Sequence, residues 1–130
     1  MPTAPADVFS PCGLGGVLNA HTIARLAVAV VCGCASKQLA PRTAGAQLHE
    51  RNIVYAPDYA VNAGGVIAVA SEYLGRGGAD DVTARIERIN ETPRNILERA
   101  REEERAPSEV ADSIARRILG EASIGRRAGF

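Results

Sequence analysis

An asparagine followed by two glycines interrupts an apolar stretch in the middle of this sequence. The stretch APDYAVNAGGVIAVASEYLG covers residues 56–75, with Asn62 shortly before Gly64 and Gly65. Each glycine costs a helix about 1 kcal/mol relative to alanine, so two in a first turn require a reason. If Asn62 caps a helix, a ligand could approach the first turn closely where the Cβ atoms are missing. The alternative is tight packing of the helix on a strand, and the spacing does not decide between them.

Cysteines and histidines are the other side chains that could do chemistry. Cys32 and Cys34 stand two residues apart in a strand-like run, which places both sulfurs on one face, but no second pair follows at zinc-knuckle spacing. We therefore assign no metal site. Cys12 and His49 could act as nucleophile and base, yet nothing in the sequence places them together, and we assign no catalytic residue. The odd number of cysteines favours a reducing cytoplasm.

A glycine-rich turn near the start of the chain resembles a dinucleotide loop only superficially. Gly13, Gly15 and Gly16 are close in sequence, but Leu18 stands where the G-x-G-x-x-G fingerprint requires its third glycine. We interpret this segment as a turn and not as a pyrophosphate-binding loop.

The elements that must position these residues alternate between strand and helix patterns. We predict strands within 6–12, 28–35 and 53–56, and helices over 19–27, 42–52 and 63–74. Asn19 is the expected cap of the first helix, and Gly75 ends the third. The short links and the continuous apolar second strand indicate parallel βαβ units. The predicted fold class is α/β: a partial Rossmann-like domain over residues 1–78, with three short parallel strands and intervening helices.

Most of the charge lies after residue 78, in a pattern typical of amphipathic helices. One helical face carries Val82, Ile86, Ile89 and Ile96. Pro93 must kink this helix or split it in two. We place the helical segment at 79–121, packed on the first domain.

A last helix is predicted to begin at Ser108 as its N-cap. Its apolar stripe is Val110, Ile114 and Ile118. Residues 122–130 are expected to form a flexible tail. Because this stripe and the one at Val82, Ile86 and Ile89 are strongly apolar, we expect either a homodimer or an aggregation-prone chain.

Composition argues against two classes of partner. Fifteen basic and fifteen acidic residues give no net charge, and the absence of Trp leaves few stacking platforms for nucleic acid. The longest apolar run, from Leu26 to Ala35, is too short to span a bilayer. We expect one soluble globular unit without nucleic-acid or membrane partners.

Three stretches of the sequence closely resemble the NAD-dependent glutamate/leucine/phenylalanine/valine dehydrogenases. They are PCGLGGVLN (11–19), LHERNIVYAPDYAVNAGGVIAVA (48–70) and NILERA (95–100). The nearest members look like those for branched-chain and aromatic amino acids. The resemblance implies reversible oxidative deamination, in which hydride passes from the Cα of an amino acid to NAD and the imine is hydrolysed to a 2-oxo acid. It covers the back half of the family's nucleotide-binding domain and the C-terminal helices.

The resemblance also implies roles for single residues. Asn62 would face the nicotinamide carboxamide of NAD, while Cys12 and Gly13 would lie in the loop beside the cofactor. Val66 and Val69 would line the pocket for the substrate side chain. Two valines offer no partner to a second carboxylate, which favours an aliphatic or aromatic substrate over glutamate.

Two asparagines of the family pattern are replaced in this sequence. Relatives read approximately GAANNQLA where residues 33–40 are GCASKQLA, so Ser36 and Lys37 replace two asparagines. In the family these asparagines contact the nicotinamide amide and the substrate carboxylate. Serine has no amide to pair with a carboxamide, whereas Lys37 could offer a cation to a carboxylate. We expect weakened or altered binding.

Much of the family's catalytic machinery has no counterpart here. The resemblance places the catalytic lysines and aspartate in a separate N-terminal domain, and Lys37 is the only lysine of this sequence. Arginine is a poor substitute because it keeps its proton at neutral pH. We therefore expect the chain alone to be inactive. Three hypotheses stay open: a part of a dehydrogenase, a non-catalytic binding or oligomerisation module descended from one, and a chain complemented by a separate N-terminal partner.

Overall fold

The computed structural model describes residues 4–75 and 78–127, and its centre is a small parallel sheet. The strands are β1 (Val8–Phe9), β2 (Val30–Val31) and β3 (Val54–Tyr55), and they lie in chain order with β2 in the middle. Each strand falls inside a predicted range, and the predicted α/β class with three parallel strands is confirmed. The ladder is shorter than those ranges, and Pro11 and Pro57, which have no N–H to donate, follow β1 and β3 closely.

Two helices connect the strands and pack against each other. They are α1 (Ala20–Arg25) and α2 (Ala44–Glu50). Asn19 caps α1 as predicted, because its Oδ1 accepts the Thr22 N–H at 3.1 Å while Thr22 Oγ1 accepts the Asn19 N–H at 3.0 Å. The main core lies between the helices and the sheet, and comprises Leu18, Ile23, Leu26, Val31, Ala44, Leu48, Ile53 and Tyr55.

The stretch after β3 contains two helices where one was predicted. They are α3 (Asp58–Val61) and α4 (Gly64–Tyr73). Asn62 ends α3, its N–H donating to the Asp58 carbonyl at 2.8 Å, so the condition that Asn62 caps α4 is not met. Ala63 precedes α4 and makes no side-chain cap. Gly75 ends α4 as predicted, because it adopts a left-handed conformation with φ of 59°.

The C-terminal part is helical, and it is interrupted as predicted. It consists of α5 (Ala79–Glu87), a 3₁₀ turn (Arg88–Asn90), α6 (Glu91–Glu102) and α7 (Pro107–Arg127). The split precedes Pro93, which lies in the first turn of α6, where a backbone N–H is not needed. These helices pack onto α2, α3 and β3.

The start and the end of α7 differ from the prediction. Pro107 occupies the first helical position, which proline favours, so Ser108 lies inside the helix and is not its cap. The helix also continues through 122–127, part of the predicted tail, since one glycine at Gly120 costs only about 1 kcal/mol. Residues 128–130 of that tail lie outside the described residues.

A second, smaller core joins α3, α6 and α7. It consists of Ala60, Ile96 and Ala111, with Ile114 packed against it. Val110 is also buried, so most of the predicted stripe on α7 is covered, while Ile118 is exposed. The most exposed apolar helix surface lies elsewhere: Val66, Val69 and Tyr73 of α4 are 71%, 66% and 89% exposed. We call these three residues the exposed α4 face. Among the described helices, none has the length and hydrophobicity required to cross a bilayer.

Candidate functional site

A cleft of about 850 Å³ opens beyond the carboxyl ends of the three strands. Its walls come from the segment that follows each strand. Gly15 and Gly16 follow β1, Ser36 and Lys37 follow β2, and the α3–α4 segment follows β3. Ligands of open parallel sheets bind at this edge, so the cleft is the candidate site.

The cleft brings together four of the seven site residues predicted from the sequence. They are Ser36, Lys37, Asn62 and Val66. The other three, Cys12, Gly13 and Val69, are exposed but do not line it. The roles of all seven beside a cofactor or substrate stay predictions.

Asn62 ties the start of α4 to the end of the middle strand. Its Nδ2 donates to the Cys34 carbonyl oxygen at 2.7 Å, and within the described part of the chain its Oδ1 accepts no hydrogen bond. The side chain is exposed at the cleft wall, so Oδ1 is an acceptor that a ligand can use.

The two glycines behind Asn62 are not packed on a strand. A Cβ atom at Gly64 would lie 3.6 Å from Ile89 Cδ1, an ordinary contact with the C-terminal helices. A Cβ atom at Gly65 would meet nothing within 4 Å. The helix-on-strand packing hypothesis is therefore wrong for this pair, and the open side of the first turn remains accessible to a ligand.

Lys37 stands in a left-handed turn that a buried carboxylate holds in place. Its φ is 55°, and its N–H donates to Asp58 Oδ2 at 2.6 Å. Tyr55 donates its hydroxyl proton to Asp58 Oδ1 at 2.9 Å. Burial, and then the Asp58 charge, raise the pKa of Tyr55 far above its usual value, so it remains a donor at neutral pH.

Asp58 and Tyr55 shape the site, and the sequence reasoning missed both. Asp58 is only 8% exposed and Tyr55 is 1% exposed. The available signal was an acidic residue directly after a buried strand and its proline, in the segment YAPD. Such a carboxylate needs partners, and the turn after the neighbouring strand provides one.

Tyr59 connects the cleft to α7. Its hydroxyl lies 3.1 Å from Asp112 Oδ1 and 3.3 Å from the Ser108 carbonyl oxygen. Burial and the Asp112 charge raise the pKa of Tyr59 well above its usual value. The last helix therefore helps to fix the cleft wall at α3.

Cys12 lies beside Cys34 and not beside a histidine base. The Cys12 sulfur is 3.4 Å from Ser10 Oγ, and the backbone N–H and thiol of Cys34 also interact with it. His49 borders a separate cavity, with Arg101 and Arg105. Within residues 4–75 and 78–127, no three His, Cys, Asp or Glu side chains cluster as metal ligands would.

The cleft combines few polar groups with apolar surface. Its polar lining residues are Ser36, Lys37, Asp58, Tyr59 and Asn62, and Leu39 and Val66 are among the apolar ones. A hydroxyl and an amide can pair with a neutral carboxamide, and an ammonium group with a carboxylate. The site thus suits a ligand that carries both groups, or two ligands that carry one each.

Comparison with known proteins gives a consistent result. A sequence model of the Glutamate/Leucine/Phenylalanine/Valine dehydrogenase family matches residues 1–123. The valine dehydrogenase of Streptomyces albus is 44% identical over 120 residues, which are 92% of this chain and 33% of that protein. The leucine dehydrogenase of Thermoactinomyces intermedius is 55% identical over 69 residues, which are 53% of this chain and 19% of that protein.

A solved structure agrees with the sequence relatives. The L-tryptophan dehydrogenase from Nostoc punctiforme superposes with a TM-score of 0.84 at 32% sequence identity, over 92% of this chain and 36% of that one. The chain spans about a third of the length of the valine dehydrogenase that it matches over most of its residues.

Proposed function

Because the chain belongs to the glutamate/leucine/phenylalanine/valine dehydrogenase family, we propose that it is the C-terminal nucleotide-binding part of an NAD-dependent amino-acid dehydrogenase. The observation that carries this proposal is the cleft that unites Ser36, Lys37 and Asn62 beyond the strand ends. The reaction is the reversible oxidative deamination of an L-amino acid to a 2-oxo acid.

The groups in the cleft fit the nicotinamide end of NAD. A carboxamide carries one acceptor and one NH₂ donor; the Ser36 hydroxyl would donate to the first and Asn62 Oδ1 would accept from the second. When bound, NAD accepts a hydride from the substrate. The described residues provide no G-x-G-x-x-G loop for the pyrophosphate, so in this proposal the adenosine end is held elsewhere in the protein.

Lys37 and the α4 valines would bind the substrate. The Lys37 ammonium group is the cation of the cleft lining and would pair with the amino-acid carboxylate. Val66 and Val69 give the side chain an apolar surface with no partner for a second carboxylate. The substrate class is therefore a branched-chain or aromatic amino acid.

The chain alone is proposed to be inactive. Proton transfer needs a base near pH 7, and the only lysine of the sequence is assigned here to substrate binding. The relatives extend well beyond the length that this chain matches. We assign the catalytic groups to the part of the relatives that this chain does not match. That part would belong to the same protein or to a partner.

The test is a titration of the purified chain with NADH, followed by fluorescence or calorimetry. We expect saturable binding that Asn62→Ala weakens about tenfold, because one hydrogen bond is worth about 1.4 kcal/mol. Asn95→Ala is the matched control, since Asn95 is exposed on α6 and does not line the cleft. A thermal melt of each variant checks that loss of the Asn62 bond to Cys34 leaves the fold intact.

A second candidate function is a non-catalytic binding or oligomerisation module. The exposed α4 face favours it, because a stripe of two valines and a tyrosine is a suitable contact for another protein surface. Failure of NADH to bind at millimolar concentration, with an intact melt, would support this candidate over the first.

A further inference from the structure

Two of the three cysteines, Cys12 and Cys34, lie in the neighbouring segments that follow β1 and β2. The strand register pairs Val8 with Val30 and Phe9 with Val31. Beyond the ladder the two segments stay hydrogen-bonded with a shift of one residue, because the Pro11 carbonyl accepts the Ala35 N–H at 2.9 Å, so the pairing reaches the residues that adjoin Cys12 and Cys34. Neighbouring strands are about 4.8 Å apart, and a disulfide bridges Cα atoms at about 4.4–6.8 Å. The spacing therefore suits a bond between the two sulfurs.

A slip in the ladder turns the backbone of Cys34 toward the sulfur of Cys12. The Cys32 N–H donates to the Phe9 carbonyl at 3.1 Å, but the next carbonyl, that of Pro11, accepts from Ala35 at 2.9 Å and not from Cys34. The Cys34 N–H is thus released from the ladder, and it lowers the pKa of the Cys12 thiol.

Close contact between the two segments keeps Cys12 and Cys34 in neighbouring parts of the fold. A Cβ atom at Gly33 would collide with the Pro11 carbonyl oxygen, so the backbones meet at the residues just before Cys12 and Cys34. The Asn62 amide holds the Cys34 carbonyl from the other side, at 2.7 Å.

The two thiols differ in exposure from Cys32 and in pKa from each other, and both differences favour oxidation of this pair. Both are free and exposed, whereas Cys32 is half-buried. The Cys34 N–H, then the Ser10 hydroxyl and the Cys34 thiol, lower the pKa of Cys12. The same contact raises the pKa of Cys34. Cys12 is thus the better nucleophile at neutral pH, and Cys34 keeps a proton for the second step.

We propose that Cys12 and Cys34 are a site of reversible oxidation that forms an intrachain disulfide with a hydroperoxide. The Cys12 thiolate attacks the peroxide, the O–O bond breaks, and a sulfenic acid and an alcohol or water form. The Cys34 sulfur then attacks the sulfenic sulfur, and its proton leaves with the hydroxyl as water. Two thiols are oxidised and one peroxide is reduced. A dithiol reverses the reaction by exchange.

This site borders the cleft without depending on the function proposed for it. The Cys34 carbonyl accepts the Asn62 amide, so a disulfide would fix the backbone that positions Asn62. Oxidation of the pair would therefore affect the position of Asn62 in the cleft wall, whichever ligand the cleft binds.

The test is intact mass spectrometry of the purified chain after hydrogen peroxide, followed by alkylation. We expect the loss of two hydrogens and a fall from three alkylatable thiols to one, with full recovery after dithiothreitol. Peptide mapping should join the Cys12 and Cys34 peptides. The wild-type chain alone decides the result: three remaining thiols, bonds only between chains, or a Cys12–Cys32 bond would overturn the proposal.

Single variants separate the two steps. Cys32→Ala is the matched control and should still lose two hydrogens, leaving no thiol to alkylate. Cys34→Ser should stop at the sulfenic acid on Cys12, which a dimedone probe captures. Cys12→Ser should give neither product. If Cys34→Ser gave no dimedone adduct, the assignment of Cys12 as the attacking thiol would be wrong.

Discussion

Asp58 shapes the cleft although it does no chemistry in the proposed reaction. Both of its oxygens accept hydrogen bonds, one from the Lys37 N–H and one from the Tyr55 hydroxyl. The first bond fixes Lys37 in a left-handed turn that costs a lysine about 1–2 kcal/mol. The position of the Lys37 cation therefore depends on a carboxylate in the next segment.

Replacing Asp58 with asparagine should destabilise the fold. An asparagine amide has one acceptor oxygen for the two donors, and its NH₂ group would face the second donor without forming a hydrogen bond. We therefore expect Asp58→Asn to lower the free energy of unfolding by about 1–3 kcal/mol. Urea denaturation followed by circular dichroism at pH 7 measures this. Asp81→Asn removes only a half-exposed pair with Arg85 and should change it by less than about 1 kcal/mol. Equal effects of the two variants would contradict the role of Asp58.

Single residues also show how far sequence reasoning reaches. Asn19 and Asn62 both precede helical patterns; Asn19 is the predicted cap, and a cap at Asn62 is the condition of the ligand hypothesis. Asn19 does so because Thr22, three residues later, returns a hydrogen bond to its N–H. Gly65 stands at the corresponding position after Asn62 and has no side chain to do this. The cap at Asn62 did not form where the reciprocal partner was missing, and the Cys34 carbonyl, remote in sequence, took the amide instead.

At the scale of elements, the connection between α6 and α7 is tight and strained. Glu104 has a φ of 51°, and the Arg105 N–H returns to the Ala100 carbonyl at 3.0 Å. Glu103 accepts from Arg99 at 2.7 Å and from Arg105 at 2.9 Å, and these two arginines lower its pKa. A left-handed residue after a helix end is the position that glycine favours.

Glycine at this position should therefore stabilise the protein. Glu104→Gly removes the left-handed penalty of about 1–2 kcal/mol and adds back about 0.5–1 kcal/mol of backbone entropy, so the net gain is at most about 1.5 kcal/mol. Glu98→Gly is the matched control, because an exposed position inside α6 should lose about 1 kcal/mol. Thermal and urea denaturation of both variants measure the difference. A loss of stability in Glu104→Gly would show that the turn is not strained.

Helices and strands were predictable where the local sequence pattern determines them, and not where contacts with distant residues determine them. The apolar run around Val30 identifies β2, but its length depends on how many residues its neighbours pair with. The helix Asp58–Val61 is too short to show a helical period, and it forms because Pro57 provides a carbonyl to Ala60 and Val61. Gly75, whose preference is intrinsic, was placed correctly.

At the scale of the whole molecule, burial is complete around two cores and incomplete on α4. The cores hold the sheet to α1 and α2, and α3 to α6 and α7. The exposed α4 face belongs to neither of them. It adjoins the cleft through Val66, so whatever covers it also closes the site on that side. Three things could cover the exposed α4 face: the substrate, the additional part of the protein that the relatives have, or a second copy of this chain.

In a solution of the isolated chain, a second copy is the protein that can bind to the exposed α4 face, and this binding should be weak. Burying a valine or tyrosine side chain contributes about 1.5–3 kcal/mol each, whereas association costs about 4–15 kcal/mol in lost motion. Three side chains from each copy therefore support at most a concentration-dependent dimer. We expect sedimentation velocity to show self-association that rises with concentration and that Val69→Lys or Tyr73→Lys abolishes.

Glu72→Gln is the matched control, since it shifts the charge of α4 by one unit in the same direction beside the exposed face and should leave the association intact. If the control dissociated the dimer equally, net charge and not the apolar face would govern association. A monomer at every concentration would instead mean that this face does not recognise itself. In that case the exposed α4 face is covered by the substrate or by the additional part of the protein that the relatives have. The dehydrogenase proposal requires this, because a second copy on the face would keep both of them out of the site.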